Sequence, residues 1–158
     1  MRIGITGHTN LTDTTAEVIY RALVQYLRAL DGEEIVGVTC LADGADQLFA
    51  RAVREVGGAY EVVLPAPDYR EVVALDRREA FDALLEGARA VLPTGEPRSG
   101  VRAYVAANGL MLDRIDRLVA VWDGEERDHP GGTADVVQDA RRRGVDTTVI
   151  WPAGARRK

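Results

Sequence analysis

The sequence predicts an α/β protein, a Rossmann-like three-layer sandwich with a mostly parallel six-stranded sheet. Three observations carry this. Short runs of branched apolar residues alternate with longer stretches of helical apolar spacing, which is the pattern of a parallel sheet covered on both faces. The loops leaving three of the runs are rich in Gly, Asp, Thr and His, and in such sheets ligands sit beyond the carboxyl ends of the strands. With 158 residues, 46% of them hydrophobic, the chain suits one domain over residues 1–158.

Arg2 to Thr6 is the first strand, and Gly7, His8, Thr9 and Asn10 form the turn that leaves it. Thr14 and Glu17 have capping-box spacing, and Ile19, Ala22, Leu23, Tyr26, Leu27 and Leu30 give the first helix one apolar face. Ile35 to Thr39 is the second strand, and its exit carries Asp43, Gly44 and Asp46. The next helix, Ala45 to Val56, turns Leu48, Phe49, Ala52 and Val53 inward and stops at Gly57 and Gly58. Tyr60 to Leu64 is the third strand, followed by a helix over Glu71 to Gly87 using Val72, Leu75, Phe81, Leu84 and Leu85. Ala90 to Leu92 is a short fourth strand, and the polar loop Thr94 to Gly100 reads as the most mobile segment, a candidate lid. Val101 to Ile115 is helical despite Gly109. Leu118 to Trp122 is a buried strand ended by Asp123 and Gly124; a loop with Gly131, Gly132 and Thr133 then leads into a helix over Ala134 to Arg143. Asp146 to Trp151 is the sixth strand.

A net charge of −5 and a pI near 5.1 disfavour wrapping a nucleic-acid backbone or an anionic membrane. Cys40 is the lone cysteine and His8 and His129 the only histidines, so no disulfide or zinc motif is expected, and neither a metal nor a resident cofactor. No apolar run reaches membrane-span length and the N-terminus enters a strand at once, so a cytoplasmic protein is expected.

GITGH at the first strand, LADGADQLFARAV at the second, ANGLMLDRIDRLVAVWDG, GGTADVV and the closing VIWPAG together resemble the SLOG superfamily over nearly the whole chain. That superfamily groups the Lonely Guy phosphoribohydrolases with the DprA/Smf DNA-processing proteins and several nucleotide-sensing domains. The resemblance implies a Rossmann-like domain, usually dimeric or larger, whose glycine-rich loop holds the phosphate of a nucleotide-like ligand. It implies ligand contacts at Gly131, Gly132 and Thr133, at Gly7 and His8, at Asp43, Gly44 and Asp46, and at Asn108. One departure matters. Lonely Guy enzymes carry PGGxGTxxE, whose glutamate assists N-glycosidic cleavage, and here Val136 stands at that position.

Each candidate has two readings. Gly131, Gly132 and Thr133 form either a phosphate loop or an ordinary glycine turn with a threonine cap. Asp135 either stabilises its helix dipole or contacts a ribose as an acid or base, and Asp123 either shapes an Asp-Gly turn or takes the catalytic role. His8, with Thr9 beside it, is a ligand contact or a structural turn residue; Asp43, Asp46 and Gln47 cap a helix or touch ligand. Trp122 reads as core before base platform, and Asn108 needs partners that a ligand or the glycine loop would supply. Arg77, Arg78, Arg98 and Arg102 read as surface charges, with a phosphate contact by one of them held open.

The leading expectation is a module binding a mononucleotide or an ADP-ribose-like ligand, as a sensor. An N-glycosidase of nucleoside monophosphates using Asp123 or Asp135 is the alternative, and DprA-like binding of single-stranded DNA the third. A homodimer or larger oligomer follows from the resemblance alone, with Met111 and Leu112 as its contact residues.

Overall fold

The computed structural model describes residues 1–30, 32–126 and 130–158. Its elements run β1 (Arg2–Gly7), α1 (Asp13–Arg28), β2 (Val36–Thr39), α2 (Ala45–Glu55), β3 (Ala59–Leu64) and α3 (Tyr69–Val72). A 3₁₀ turn (Leu75–Arg77), α4 (Arg78–Glu86), β4 (Ala90–Pro93), α5 (Val101–Leu112), β5 (Arg117–Val121), α6 (Thr133–Arg142) and β6 (Asp146–Ile150) complete it. The six strands form one sheet in the order β4-β3-β2-β1-β5-β6, and every pairing is parallel. Strand order therefore reverses between β1 and β5, so the connections to either side place helices on opposite faces.

The apolar contacts divide accordingly. Ile3, Ile5, Ile19, Leu23, Phe49, Tyr60 and Phe81 form a core between the sheet and α1, α2 and α4. Val38, Val63, Ala107, Met111, Leu118 and Val136 form a second core beneath α5 and α6. The α/β three-layer expectation holds, but the edge strands β4 and β6 consist of half-buried and exposed residues where full burial was expected.

Several local expectations are corrected. The first helix is capped by Thr12, whose Oγ1 accepts the Thr15 N–H at 3.3 Å, while Glu17 instead pairs with Arg21 one turn on. The helix expected over 71–87 is broken, because Val73 and Ala74 are extended (ψ 133° and 141°). Val72 and Leu75 consequently point to solvent, at 56% and 79% exposure. Met111 and Leu112, expected at a dimer contact, are buried in the second core and unavailable to a partner. The 94–100 loop is tied down: Thr94 Oγ1 donates to the Pro65 carbonyl at 2.7 Å, and Ser99 donates through N–H and Oγ to Asp68 Oδ1 at 2.8 and 2.7 Å. Those two Ser99 bonds hold the Asp68 carboxyl below its usual range. Among the described residues, no helix is long and apolar enough to cross a membrane.

Candidate functional site

The β1 exit lies at the strand-order reversal, and close packing decides its sequence. A Cβ on Gly7 would fall 2.5 Å from the Ala45 Cβ and 2.8 Å from the Val121 Cβ, so only glycine lets β1, β5 and α2 meet there. His8 follows, buried at 7% exposure. Its N–H donates to the Val121 carbonyl at 3.1 Å and its carbonyl accepts from the Ala45 N–H at 3.2 Å. Its Nε2 lies 3.2 Å from both the Asp123 N–H nitrogen and Asp123 Oδ1, and the Trp151 ring meets it edge-on at 5.4 Å. A neutral Nε2 accepts from the amide; a protonated one donates to the carboxylate. His8 thus joins the β1 exit to the β5 exit. Asp123 Oδ1 also accepts the Glu125 N–H at 3.0 Å, the turn-forming contact expected of an Asp-Gly corner.

The glycine loop is held from two sides. Asn108 on α5 donates to the Gly131 carbonyl at 3.2 Å, and the Gly131 N–H donates to Asp135 Oδ2 at 3.2 Å. Gly132, not Thr133, is the N-cap of α6, and having no side chain it offers no oxygen to the first helical amides. Thr133 opens the helix, and Val136 is 3% exposed within the core. Residues 127–129, including His129, lie outside the described residues. Replacing Asn108 by Ala removes a donor to a loop carbonyl, with an expected loss of about 1 kcal/mol by urea unfolding.

The β2 exit turns its polar groups onto itself. Leu41 has φ 56°, and this left-handed residue is fixed on both sides. Its N–H donates to Thr39 Oγ1 at 3.0 Å and its carbonyl accepts from Gln47 Nε2 at 3.2 Å. Asp46 Oδ2 accepts the Ala42 N–H at 3.2 Å, and burial pushes the Asp46 carboxyl up to about 7. Burial likewise raises the Cys40 thiol and the Tyr69 hydroxyl. Asp43 instead faces Arg77 at 3.6 Å.

The expected ligand residues, apart from Asp46, which is buried at the β2 exit, therefore separate into two groups. His8 and Asp123 are hydrogen-bonded across the β1 and β5 exits, and Asn108, Gly131 and Asp135 form a second hydrogen-bonded set at the loop that follows β5, with Gly7, Gly132 and Thr133 beside them in the chain. Thr9, Asp43, Gly44 and Gln47 line a separate cleft of about 330 Å³ between α1, α2 and α4. Trp122 packs as core with Ala120 and Val137 and donates to the Glu125 carbonyl at 3.0 Å. Sequence reasoning missed the cleft's Leu11, Arg51 and Lys158, which no motif marks because three separate elements and the last residues bring them together. Among the described residues, no group of three or more His, Cys, Asp or Glu side chains is placed to hold a metal ion.

No protein-family model and no curated protein matches the chain. Solved structures do match its fold. DNA processing protein A (DprA) from Streptococcus pneumoniae has a TM-score of 0.71 at 18% identity, over 97% of this chain and 51% of its own. The Helicobacter pylori DprA, described by its single-stranded DNA binding mode, has a TM-score of 0.67 at 15% identity, over 98% and 67%. The Moco carrier protein of the alga Chlamydomonas has a TM-score of 0.58 at 17% identity, over 94% and 74%. The chain thus spans about half the length of the pneumococcal protein. At such identities the likeness is one of fold, and it is the fold that the SLOG resemblance implies.

Proposed function

We propose that this chain binds a nucleotide or nucleotide-derived ligand at the β1/β5 reversal, with a phosphate against Gly131, Gly132 and Thr133. The observation that carries the reading is the glycine N-cap of α6: its loop is fixed through Asn108 and Asp135, while Gly132 leaves the first amides of a ten-residue helix without a side-chain cap. Such amides and the helix dipole favour an anion. His8 and Asp123, joined across the two strand exits, then face the sugar side.

Binding without cleavage is the favoured form. Val136, where a Lonely Guy enzyme carries its glutamate, is buried in the core. Asp135 is engaged by the Gly131 N–H, and Asp123 by the Glu125 N–H and His8. A carboxylate held by loop amides shapes the loop before it stabilises charge on a sugar. Dimerisation belongs to the same proposal, re-sited to the outer face of α5, where Val101 and Val105 are exposed one turn apart.

Gly132→Asp tests the reading. Gly132 has φ −79° and ψ 176°, the extended geometry of an ordinary N-cap, so an aspartate there supplies the missing cap while placing a negative charge where the phosphate sits. The variant is expected to be as stable as wild type or more stable by about a few tenths of a kcal/mol in urea unfolding, yet to lose most nucleotide affinity in calorimetric titration against a panel of mono- and dinucleotides. Undiminished binding would remove the loop from the site. Mass spectrometry of the denatured protein and of the panel is expected to recover intact nucleotides. Free base with ribose phosphate, lost in Asp123→Asn or Asp135→Asn, would establish the hydrolase instead. Salt-sensitive single-stranded DNA binding without nucleotide affinity would establish the DprA-like reading.

A further inference from the structure

The cleft between α1, α2 and α4 meets the reversal-point site only through Thr9 and Gly44; none of Asn108, Asp123 or the glycine loop lines it. Its floor is Leu11, Leu48 and Leu84, all buried, and Arg51, Arg77 and Lys158 stand at its rim. A volume of about 330 Å³ is at the small end for a ligand site, enough for one ring system and too little for a dinucleotide.

The rim cations are placed but weakly committed. Arg77 faces Asp43 at 3.6 Å, longer than a charge-assisted hydrogen bond, with the two side chains 51% and 43% exposed. Arg51 lies 4.9 Å from the Tyr20 ring centroid, which fixes its stem without neutralising it. Lys158 is brought to the rim by main-chain contacts: its N–H donates to the Asn10 carbonyl at 2.6 Å, Arg157 bridges to Leu11, and the Arg156 N–H donates to Thr15 Oγ1 at 2.8 Å. Asp13 and Asp43 are the side-chain carboxylates of the rim, beside the three cationic side chains, and the Lys158 main-chain oxygen is already held by the Asn10 amide at 3.4 Å.

We infer that this cleft is a second small-molecule site for a compact apolar ring carrying one anionic group, a carboxylate or a phosphate monoester. The ring lies on the three leucines, and the anion draws Arg77 from Asp43 toward Arg51 and Lys158.

The test is a nitrogen-15 NMR titration with benzoate, with phenyl phosphate and with benzylamine, a cation of similar shape. Saturable shifts at the Leu48, Ala83 and Lys158 amides are expected with the anions and not with benzylamine, and the tighter anion identifies the head group. Ala80→Trp, at an exposed position on the cleft wall, is expected to abolish the shifts with the fold intact, and Arg77→Gln to weaken binding about tenfold. Absence of saturable shifts with both anions, an equal response to benzylamine, or unchanged binding by Ala80→Trp would overturn the assignment. Gly132→Asp is expected to leave these shifts unchanged, so this site and the nucleotide site stand or fall separately.

Discussion

Raising the pH from about 4 to about 7 is expected to cost the protein about 3 kcal/mol of stability, and Asp46→Asn to abolish most of that loss. Asp46 sits in the first turn of α2 at 7% exposure, and burial lifts its carboxyl from 3.8 to about 7 against the pull of the Ala42 and Cys40 amides. The folded chain therefore keeps a proton that the unfolded chain releases near the ordinary carboxylate value. Between the two values the native state binds more protons, so unfolding free energy falls as pH rises, by about 1.4 kcal/mol per unit, and levels off above the folded value. Asparagine keeps an oxygen for the Ala42 N–H but cannot ionise. Urea unfolding at about pH 5 and about pH 8 reads the difference; parallel curves for wild type and variant would show that Asp46 ionises without penalty. Glu61 acts in the opposite sense. Its burial is outweighed by Arg2, Arg89 and Arg114, which hold its carboxyl below 4.5, so its contribution is lost only as the solution turns more acid. Together the two groups place the stability maximum on the mildly acidic side of neutrality.

What the sequence disclosed, and what it concealed, follows from the range of each interaction. The strands and most helices were legible because apolar period is a local signal, and the sheet's parallel order follows once helices separate the strands. The break at Val73 and Ala74 was not, since apolar residues at Val72 and Leu75 continue a helical pattern that the backbone abandons. Thr14 and Glu17 matched a capping pattern that Thr12 fills instead, a difference of two residues decided by where the chain leaves the Leu11–Arg157 bridge. At the candidate site, Asn108 was legible because an amide in an apolar helix demands a partner, and Gly131 provides it. The division of the ligand residues into two places was hidden, because Leu11, Leu48, Leu84 and Lys158 converge only in three dimensions. Met111 and Leu112 misled for a related reason: α5 is apolar on nearly every side, so its sequence does not say which side meets the sheet.

Gly44→Ala is expected to destabilise the protein by about 3 kcal/mol and to move the β1 exit, where Gly124→Ala costs about 1 kcal/mol and moves nothing beyond its own turn. Both glycines have left-handed backbones, with φ 88° and 83°. Open space surrounds the Cβ that Gly124 would carry, whereas at Gly44 it would meet the His8 carbonyl at 2.6 Å and the Thr9 Cα and carbonyl at 2.8 Å. These are main-chain atoms, so no rotamer relieves the clash and the 8–9 segment itself must shift. That segment accepts the Ala45 N–H through the His8 carbonyl and meets Asp123 through the His8 ring, so a shift passes from the α2 terminus to the β5 exit. Urea unfolding measures the stability term, and amide shifts at His8 and Asp123 report the displacement. Gly44 also lines the α1/α2/α4 cleft, so the same alanine is expected to weaken anion binding there. A Gly44→Ala protein with unperturbed His8 and Asp123 amides would show that the three loops pack side by side without being coupled.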